Sequence, residues 1–254
     1  MVFAKLHRAY LLAPRYNILM QQINIFDFDG TLTTDTWPKC VSWVELFGFQ
    51  ANKRNEELEA AIAEYKRTHD GDDYFGFFGF FDDILKSNNK ALTMDEFMLG
   101  KKYIQYNPGL ENFLRYSKAD NYIISSGYTD FLQRLNIAQN LHGIYGTGVK
   151  KNAEGHITGT DKIMTGVNKV NAINDILAKH GLEDTECENV FYIGDGDTDV
   201  PAMKYIHERG GSAVFVYQPG EDPSEHRLAN EEAIDYRCVA DYTEGSTLWQ
   251  ILNR

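Results

Sequence analysis

Residues 23–33 read Ile-Asn-Ile-Phe-Asp-Phe-Asp-Gly-Thr-Leu-Thr, and they are the most informative part of the sequence. Its first four residues form a short apolar run rich in β-formers, which predicts a buried strand. Asp27 and Asp29 follow where the strand ends, and residues two apart on an extended chain share a face. Two carboxylates on one face repel each other unless a cation or a proton relieves them. Gly30 then permits a sharp turn that brings backbone N–H groups close to a bound ligand.

The overall composition limits the classes of protein that fit this chain. Its 254 residues suffice for one large α/β domain or for a core domain with a smaller second one. The net charge of -12 disfavours nucleic-acid binding through phosphate neutralisation. No apolar run approaches the about 18 residues that would cross a bilayer, so we expect no membrane partner. The three cysteines match neither a metal spacing nor a disulfide framework, which predicts a reducing, cytoplasmic location.

Residues 1–19 differ from the rest of the chain in charge, because they carry Lys5, Arg8 and Arg15 but no acidic residue. Their apolar stretch is short for a signal peptide, and no clear cleavage site follows it. We therefore expect an N-terminal extension outside the core fold. Met20, directly before the first strand, is a candidate start for that core.

Residues 34–107 carry no strand signal, and they predict a helical insertion after the first strand. Helical patterns cover 37–49 and 52–68, and Thr93 with Glu96 forms a capping-box signal for a further helix that ends near residue 103. Residues 74–81 hold six aromatic side chains, a composition more typical of the insertion's own core than of a substrate cage.

From residue 108 onward, strand and helix patterns alternate. Their order predicts a Rossmann-like α/β core with a parallel sheet and helices on both faces, formed by residues 20–33 and 108–254. The predicted strands are 121–124, 188–193, 213–217 and 238–240, and a β-hairpin is predicted for 144–150 with 155–160. The predicted helices are 110–119, 130–141, 167–180, 199–207 and 245–252.

Polar side chains follow three of these strands at the point where each strand ends. They are Asp27 and Asp29, then Ser125, Ser126 and Gly127, then Asp195 and Asp199. Because ligands of open parallel sheets bind at the carboxyl ends of the strands, we expect these groups to converge. Carboxylates suit Mg²⁺, while a serine hydroxyl, turn N–H groups and a lysine such as Lys169 suit a phosphate. A carboxylate beside Mg²⁺ can also be a nucleophile, and a second one can transfer protons.

Four motifs in this order resemble the haloacid dehalogenase-like hydrolase superfamily, in its phosphatase branch. They are Asp27–Thr33, the strand end Ile123-Ile124-Ser125, Lys169 within Val167–Val170, and the run Tyr-Ile-Gly-Asp-Gly-Asp-Thr-Asp at 192–199. Together they span about residues 22–217. The resemblance implies that residues 34–107 are a helical cap over the site, closest to the phosphoserine-phosphatase-like group.

The resemblance also implies a role for each acidic residue of the site. Asp27 would be the nucleophile and a Mg²⁺ ligand. Asp29 would be the general acid and base, and its backbone carbonyl would bind the metal. Asp195 would be the remaining protein ligand of Mg²⁺, and Asp199 would orient the groups around the metal.

For the phosphoryl group, the resemblance implies contacts from Ser125 and Lys169. Gly30 and Ser126 complete the predicted phosphate-binding set, with Ser126 offering its N–H rather than its hydroxyl. Lys162, seven residues before Lys169, is the alternative lysine.

Two positions depart from the phosphoserine phosphatase pattern. Thr36 stands where that group usually carries a glutamate nine residues after the nucleophile, although Asp35 is next to it. Thr198 stands where that group commonly carries asparagine. Both departures concern the substrate rather than the phosphatase chemistry.

The sequence therefore predicts a Mg²⁺-dependent phosphatase that hydrolyses a small phosphorylated metabolite through an aspartyl-phosphate. One alternative is a phosphotransferase or phosphomutase with the same nucleophile. Another is a catalytically silent phosphate-binding regulatory module. A dehalogenase is disfavoured because its chemistry does not need Asp29, and phosphonate hydrolysis would need an imine-forming lysine that no motif places.

Overall fold

The computed structural model describes residues 21–35, 44–49, 56–68, 73–182 and 187–253. The predicted extension at 1–19, Met20, Thr36 and most of the helix predicted for 37–49 lie outside these residues. Within the described part, no helix is both long enough and apolar enough to cross a membrane.

The central sheet is parallel, as predicted, and has six strands in the order β3-β2-β1-β6-β7-β8. The eight described strands are β1 (Ile23–Phe26), β2 (Asp120–Tyr128), β3 (Gly143–Thr147), β4 (Val149–Lys151), β5 (Ile157–Thr160), β6 (Val190–Gly194), β7 (Ser212–Tyr217) and β8 (Tyr236–Val239). β1 lies between β2 and β6, so the strand order changes direction at β1. This arrangement leaves the ends of β1 and β6 side by side.

Helices cover both faces of this sheet. The described helices are α1 (Glu56–Thr68), α2 (Asp73–Ser87), α3 (Met94–Phe97), α4 (Leu110–Tyr116), α5 (Thr129–Leu132), α6 (Val167–Lys179), α7 (Val200–Glu208) and α8 (Thr247–Leu252). The capping box at Thr93 and Glu96 is present. The helix predicted for 130–141 is instead α5 followed by a 3-10 turn at Asn136–Asn140. Two short turns bury the same apolar side chains as one helix would, so periodicity did not separate them.

Successive side chains of β1 point to opposite faces of the sheet, and each face has its own hydrophobic core. Ile23 and Ile25 pack with the α6 and α7 side chains, whereas Phe26 packs on the opposite face against Phe113 and Tyr242. Because side chains alternate along a strand, Asp27 falls on the face that α6 covers. This placement brings an α6 side chain within reach of Asp27.

The predicted hairpin is correct in its second strand and wrong in its first. Residues 143–147 form β3, which extends the central sheet beside β2, and only β4 and β5 pair as a hairpin. Gly148 separates β3 from β4 and exchanges backbone hydrogen bonds with the segment that follows β5. An apolar run with β-branched residues predicts a strand, but it does not indicate which other strand it pairs with.

Residues between β1 and β2 contribute no strand to the central sheet in the described part of the chain. The chain leaves and returns at neighbouring points, because Thr33 and Tyr106 form an antiparallel bridge. Further along, α2 lies against the hairpin, where Asp82 Oδ1 accepts a hydrogen bond of 2.8 Å from the Thr160 N–H. The helices of this segment are therefore attached to the core both at the bridge and through the hairpin.

Candidate active site

The change in strand order at β1 places Asp27 at the centre of the sheet's carboxyl edge. Its backbone N–H donates to the Ile193 carbonyl at 2.8 Å, which fixes Asp27 beside the end of β6. In open α/β sheets, ligands usually bind at the carboxyl ends of the strands, where the strand order changes direction. Asp195 follows β6 directly, so the two carboxylates predicted to bind a metal come from adjacent strands.

Lys169 joins two of the predicted acids. Its Nζ donates to Asp27 Oδ1 at 3.0 Å and to Asp199 Oδ1 at 2.7 Å. The Lys169 and Asp199 side chains have no exposed surface, and Asp27 is 8% exposed. A buried charge is tolerated only when it is paired and hydrogen-bonded, and the lysine meets that condition with two carboxylates.

Burial dominates the protonation equilibria of these groups. Desolvation raises the pKa of Asp27 to about 7, although the Lys169 ammonium opposes the shift. Desolvation and the charges of Asp27 and Asp199 raise the pKa of Asp195 well above its usual range. Desolvation alone would lower the pKa of Lys169, but Asp199 and Asp27 raise it well above the ordinary value. The lysine thus stays charged, while Asp27 and Asp195 hold their protons to a higher pH than exposed carboxyl groups do.

The acidic cluster fits a hard divalent cation. One carboxylate oxygen from each of Asp27, Asp195 and Asp199 lies within 4.8 Å of the others. Asp199 is already used by protein donors, because Oδ1 accepts from Lys169 and Oδ2 accepts from the Gly196 N–H at 3.2 Å. Asp27 and Asp195 are therefore the carboxylates best suited as ligands, and oxygen donors of this kind suit Mg²⁺.

The turn that carries Asp29 is held by side chains from distant parts of the chain. Asn107 Nδ2 donates to the Thr31 carbonyl at 2.8 Å, and the Tyr242 hydroxyl donates to the same carbonyl at 3.1 Å. Gln218 Nε2 donates to the Gly30 carbonyl at 2.7 Å. These donors lie 76 to 211 residues away along the chain, so no local sequence signal identifies them.

Within this turn, the predicted donor Gly30 is already engaged. Its N–H donates to Thr33 Oγ1 at 3.1 Å and to the Asp35 carbonyl at 3.0 Å, so an anion would have to replace one of these acceptors. Thr31, which sequence analysis did not assign, is fully buried and donates from Oγ1 to Asp195 Oδ1 at 3.0 Å. That bond holds the Asp195 carboxylate beside the turn.

The end of β2 presents the predicted serines in different ways. Ser125 is buried, and its Oγ accepts a hydrogen bond of 3.0 Å from the Gly127 N–H, which leaves the hydroxyl proton as a donor for a ligand. Ser126 Oγ donates to the Met164 carbonyl at 3.1 Å, so its hydroxyl is used within the protein. The alternative lysine, Lys162, is exposed at the surface.

The position of Asp199 explains why the fourth motif carries a glycine at 194, the last residue of β6. A Cβ built on Gly194 would lie 2.5 Å from the Asp199 carboxylate, whereas one built on Gly196 would meet nothing within 4 Å. Gly194 is therefore required by the close approach of Asp199. Tyr192, two residues earlier, was also missed by sequence analysis, and its hydroxyl donates to Asp199 Oδ1 at 2.7 Å.

In the aromatic stretch predicted at 74–81, the side chains that the structure describes lie at 76–81 and pack mostly within the protein. Phe78 and Phe81 are buried, and the Phe78 ring contacts the Tyr128 ring edge-on at 5.5 Å between centroids. Tyr128 belongs to β2, and its hydroxyl lies 2.7 Å from Thr160 Oγ1 of the hairpin. These contacts connect α2 with the core through apolar side chains.

A family model described as haloacid dehalogenase-like hydrolase matches residues 25–204, more than half of the chain. The match confirms the family resemblance inferred from the four motifs. None of the curated proteins is similar enough in sequence to count as a match.

Solved structures with this fold include three informative examples. A substrate-bound phosphoserine phosphatase is 16% identical over 91% of this chain and 97% of its own, with a TM-score of 0.63. A phospho-aspartyl intermediate analogue of phosphoserine phosphatase is 18% identical over 91% and 97%, with a TM-score of 0.57. A family hydrolase from Salmonella enterica subsp. enterica serovar Typhi is 21% identical over 78% of this chain, with a TM-score of 0.58. The match spans 62% of that hydrolase's length, and at these identities the likeness shows a shared fold.

Proposed function

The chain belongs to the haloacid dehalogenase-like hydrolase family, and we propose that it is a Mg²⁺-dependent phosphatase acting on a small phosphomonoester. The observation that carries the proposal is the buried bridge from Lys169 to Asp27 and Asp199, with Asp195 beside it. A nucleophilic carboxylate, a fixed ammonium and a cation-binding pair of acids are the groups that phosphoryl transfer requires.

Asp27 and Asp195 would hold the metal through their carboxylates, and the Asp29 backbone carbonyl would add a third protein oxygen. When bound, Mg²⁺ would supply positive charge that orients the phosphoryl oxygens and offsets the repulsion among the acids. Thr31 supports this pair by holding the Asp195 carboxylate in place. Asp199 would act on the lysine rather than on the metal.

In the first step, a carboxylate oxygen of Asp27 attacks phosphorus and the bond to the leaving oxygen breaks. Asp29 donates a proton to that oxygen, so the alcohol leaves neutral. Lys169 and the Ser125 hydroxyl donate hydrogen bonds to the phosphoryl oxygens, where negative charge is concentrated. The product is an aspartyl-phosphate on Asp27.

In the second step, water attacks the phosphorus of the aspartyl-phosphate. Asp29, now ionised, takes a proton from the water, and the bond between phosphorus and the Asp27 oxygen breaks. Inorganic phosphate leaves, and both carboxyl groups return to their starting states. The two aspartates therefore keep separate tasks although they are two residues apart.

Residues 34–107 would serve as a helical cap over the site, with residues 20–33 and 108–254 as the core. The Thr33–Tyr106 bridge and the contact of α2 with the hairpin support a compact unit at the carboxyl edge. A cap of this kind excludes water during the first step and selects the leaving group. We expect a small phosphorylated metabolite as substrate, in the cytoplasm.

The test is phosphate release from a panel of phosphorylated metabolites with and without Mg²⁺. Asp27→Asn should lower kcat by at least about 1000-fold, because the nucleophile is removed while its shape is kept. Asp197→Asn, at an exposed acid of the neighbouring loop, is the matched control and should keep most of its activity. Retained turnover in Asp27→Asn would exclude the mechanism.

The same assay separates the alternative functions. Transfer of phosphate to a second metabolite, without release of free phosphate, would identify a phosphotransferase or phosphomutase. A silent panel in the presence of Mg²⁺, together with phosphate binding by the native chain, would identify a regulatory module.

A further inference from the structure

Tyr192 lies buried near Lys169, and none of the four motifs assigns a role to this tyrosine. Tyr192 belongs to β6, has no exposed surface, and packs among the apolar side chains under α6 and α7. Phenylalanine would fill the same space without a polar group to desolvate. An oxygen at this depth is favourable only because it has a hydrogen-bond partner, and that partner is Asp199.

The Asp199 carboxylate is held by three protein donors. Oδ1 accepts from the Tyr192 hydroxyl at 2.7 Å and from Lys169 Nζ at 2.7 Å, and Oδ2 accepts from the Gly196 N–H at 3.2 Å. Burial and the charge of Asp199 raise the pKa of Tyr192 well above its ordinary value, so the phenol remains a donor. The tyrosine ring is held by its strand and by the surrounding core, so its hydroxyl is a firmly placed donor.

The position of Asp199 in turn decides where the lysine meets the nucleophile. Lys169 Nζ contacts Asp27 Oδ1 at 3.0 Å and Asp199 Oδ1 at 2.7 Å at the same time. A small rotation of the Asp199 carboxylate would therefore move the ammonium relative to the transferring phosphoryl group. Groups behind a site tune it in this way although they touch no substrate.

We propose that Tyr192 is a positioning residue whose hydroxyl holds the Asp199 carboxylate so that Lys169 stays directed at Asp27. The inference rests on the proposed function of Asp27 and Lys169, and it adds a residue that the family motifs do not assign. It predicts that a change at Tyr192 alters the position of Asp199, and through Asp199 the position of Lys169 at the phosphoryl group.

The first experiment compares Tyr192→Phe with Tyr122→Phe. Tyr122 is buried on the same face of the same sheet, and its hydroxyl pairs with His180 Nε2 at 2.9 Å, away from the catalytic edge. Each variant loses one hydroxyl with its hydrogen bond, and Tyr122→Phe should lower the thermal midpoint less, because its hydroxyl is only partly buried and pairs with a partly exposed histidine. Only Tyr192→Phe should lose about tenfold in kcat, with KM changed by less than about twofold, because one hydrogen bond to a charged group is removed. Equal kcat values in the two variants would overturn the proposal.

A double variant tests whether the effect passes through Asp199. If it does, adding Tyr192→Phe to Asp199→Asn should lower kcat by less than about twofold beyond Asp199→Asn alone, because residues in one network are not additive. Full additivity would show that Tyr192 acts by another route. If Tyr192→Phe does not fold, Asp199→Asn alone still tests the proposal. An unchanged kcat in Asp199→Asn would show that Asp199 does not position the lysine.

A crystal structure of Tyr192→Phe gives a readout that does not depend on turnover. The distance from Lys169 Nζ to Asp27 Oδ1 should lengthen from 3.0 Å beyond hydrogen-bonding range. An unchanged distance would contradict positioning by Tyr192. A native chain that releases no phosphate from any metabolite would instead count against the proposed function, and the crystal structure would still test the hydrogen-bond chain.

Discussion

Two lysine–aspartate pairs of almost equal length lie in opposite surroundings in this molecule. Lys169 Nζ is 2.7 Å from Asp199 Oδ1, and neither side chain is exposed. Lys151 Nζ is 2.6 Å from Asp130 Oδ1 at the surface, where the side chains are 39% and 23% exposed. Water can solvate either member of the second pair if its partner is lost, whereas the first pair has no such replacement.

The difference shows that distance does not by itself decide what an ion pair does. At the surface the charges are screened, and the pair stabilises the hairpin weakly. In the interior, burial raises the pKa of Asp27, and the ammonium of Lys169 opposes that shift only in part. The buried carboxyl groups beside the interior pair therefore favour a further positive charge. A bound cation would supply that charge during phosphoryl transfer.

Removal of each lysine in turn should give the largest difference between the two pairs. Lys169→Met should lower the free energy of unfolding by about 3–5 kcal/mol at pH 8, because two buried carboxylates lose their counter-charge. Lys151→Met, the matched surface change, should cost less than about 1 kcal/mol. Urea unfolding of both variants without metal measures the difference. Similar losses would show that burial does not distinguish the two pairs.

Mg²⁺ binding at the buried acids should depend on pH. Because burial raises the pKa of Asp27 to about 7, the folded protein holds this proton more tightly than the unfolded chain does. Without metal, this group's contribution to stability is present at low pH and is lost as the pH rises from about 4 to 7. A bound cation needs the ionised acid, so Mg²⁺ should stabilise the fold more at pH 8 than at pH 5.

Thermal unfolding with and without Mg²⁺ at the two pH values checks this expectation. At 100 times its dissociation constant, the cation should contribute about 2.7 kcal/mol at pH 8. Asp27→Asn should lose most of that gain, whereas the surface variant Asp130→Asn should keep it. A metal effect that is equal at both pH values would contradict the role of buried carboxylates.

The smallest expected effect concerns the backbone beside the interior pair. Gly194→Ala should cost about 1–3 kcal/mol, because its Cβ would lie 2.5 Å from the Asp199 carboxylate and the pair would have to shift. Gly196→Ala, two residues further on in open space, should cost less than about 1 kcal/mol. Chemical unfolding measures both, and equal costs would mean that Asp199 is free to move away.

The sequence predicted much of this fold because its signals are local. The apolar run before Asp27, the capping box at Thr93 and the alternation of strands with helices each depend on neighbouring residues. The hairpin was misassigned at β3 because a strand's partner is chosen by tertiary contacts. The helix predicted for 130–141 was interrupted because its apolar positions fit two short turns equally well.

For the candidate site, sequence and structure contributed different parts. The motif order, together with the preferences of metals and phosphate for such groups, predicts that Asp27, Lys169, Asp195 and Asp199 carry the chemistry. The hydrogen bonds that hold these four side chains could be found only in the folded structure. Tyr192 was missed although it lies only seven residues before Asp199, because no local pattern shows that the folded loop brings its hydroxyl to that carboxylate. Burial, which gives the acids their unusual pKa values, is likewise a property of the packed fold and not of any segment alone.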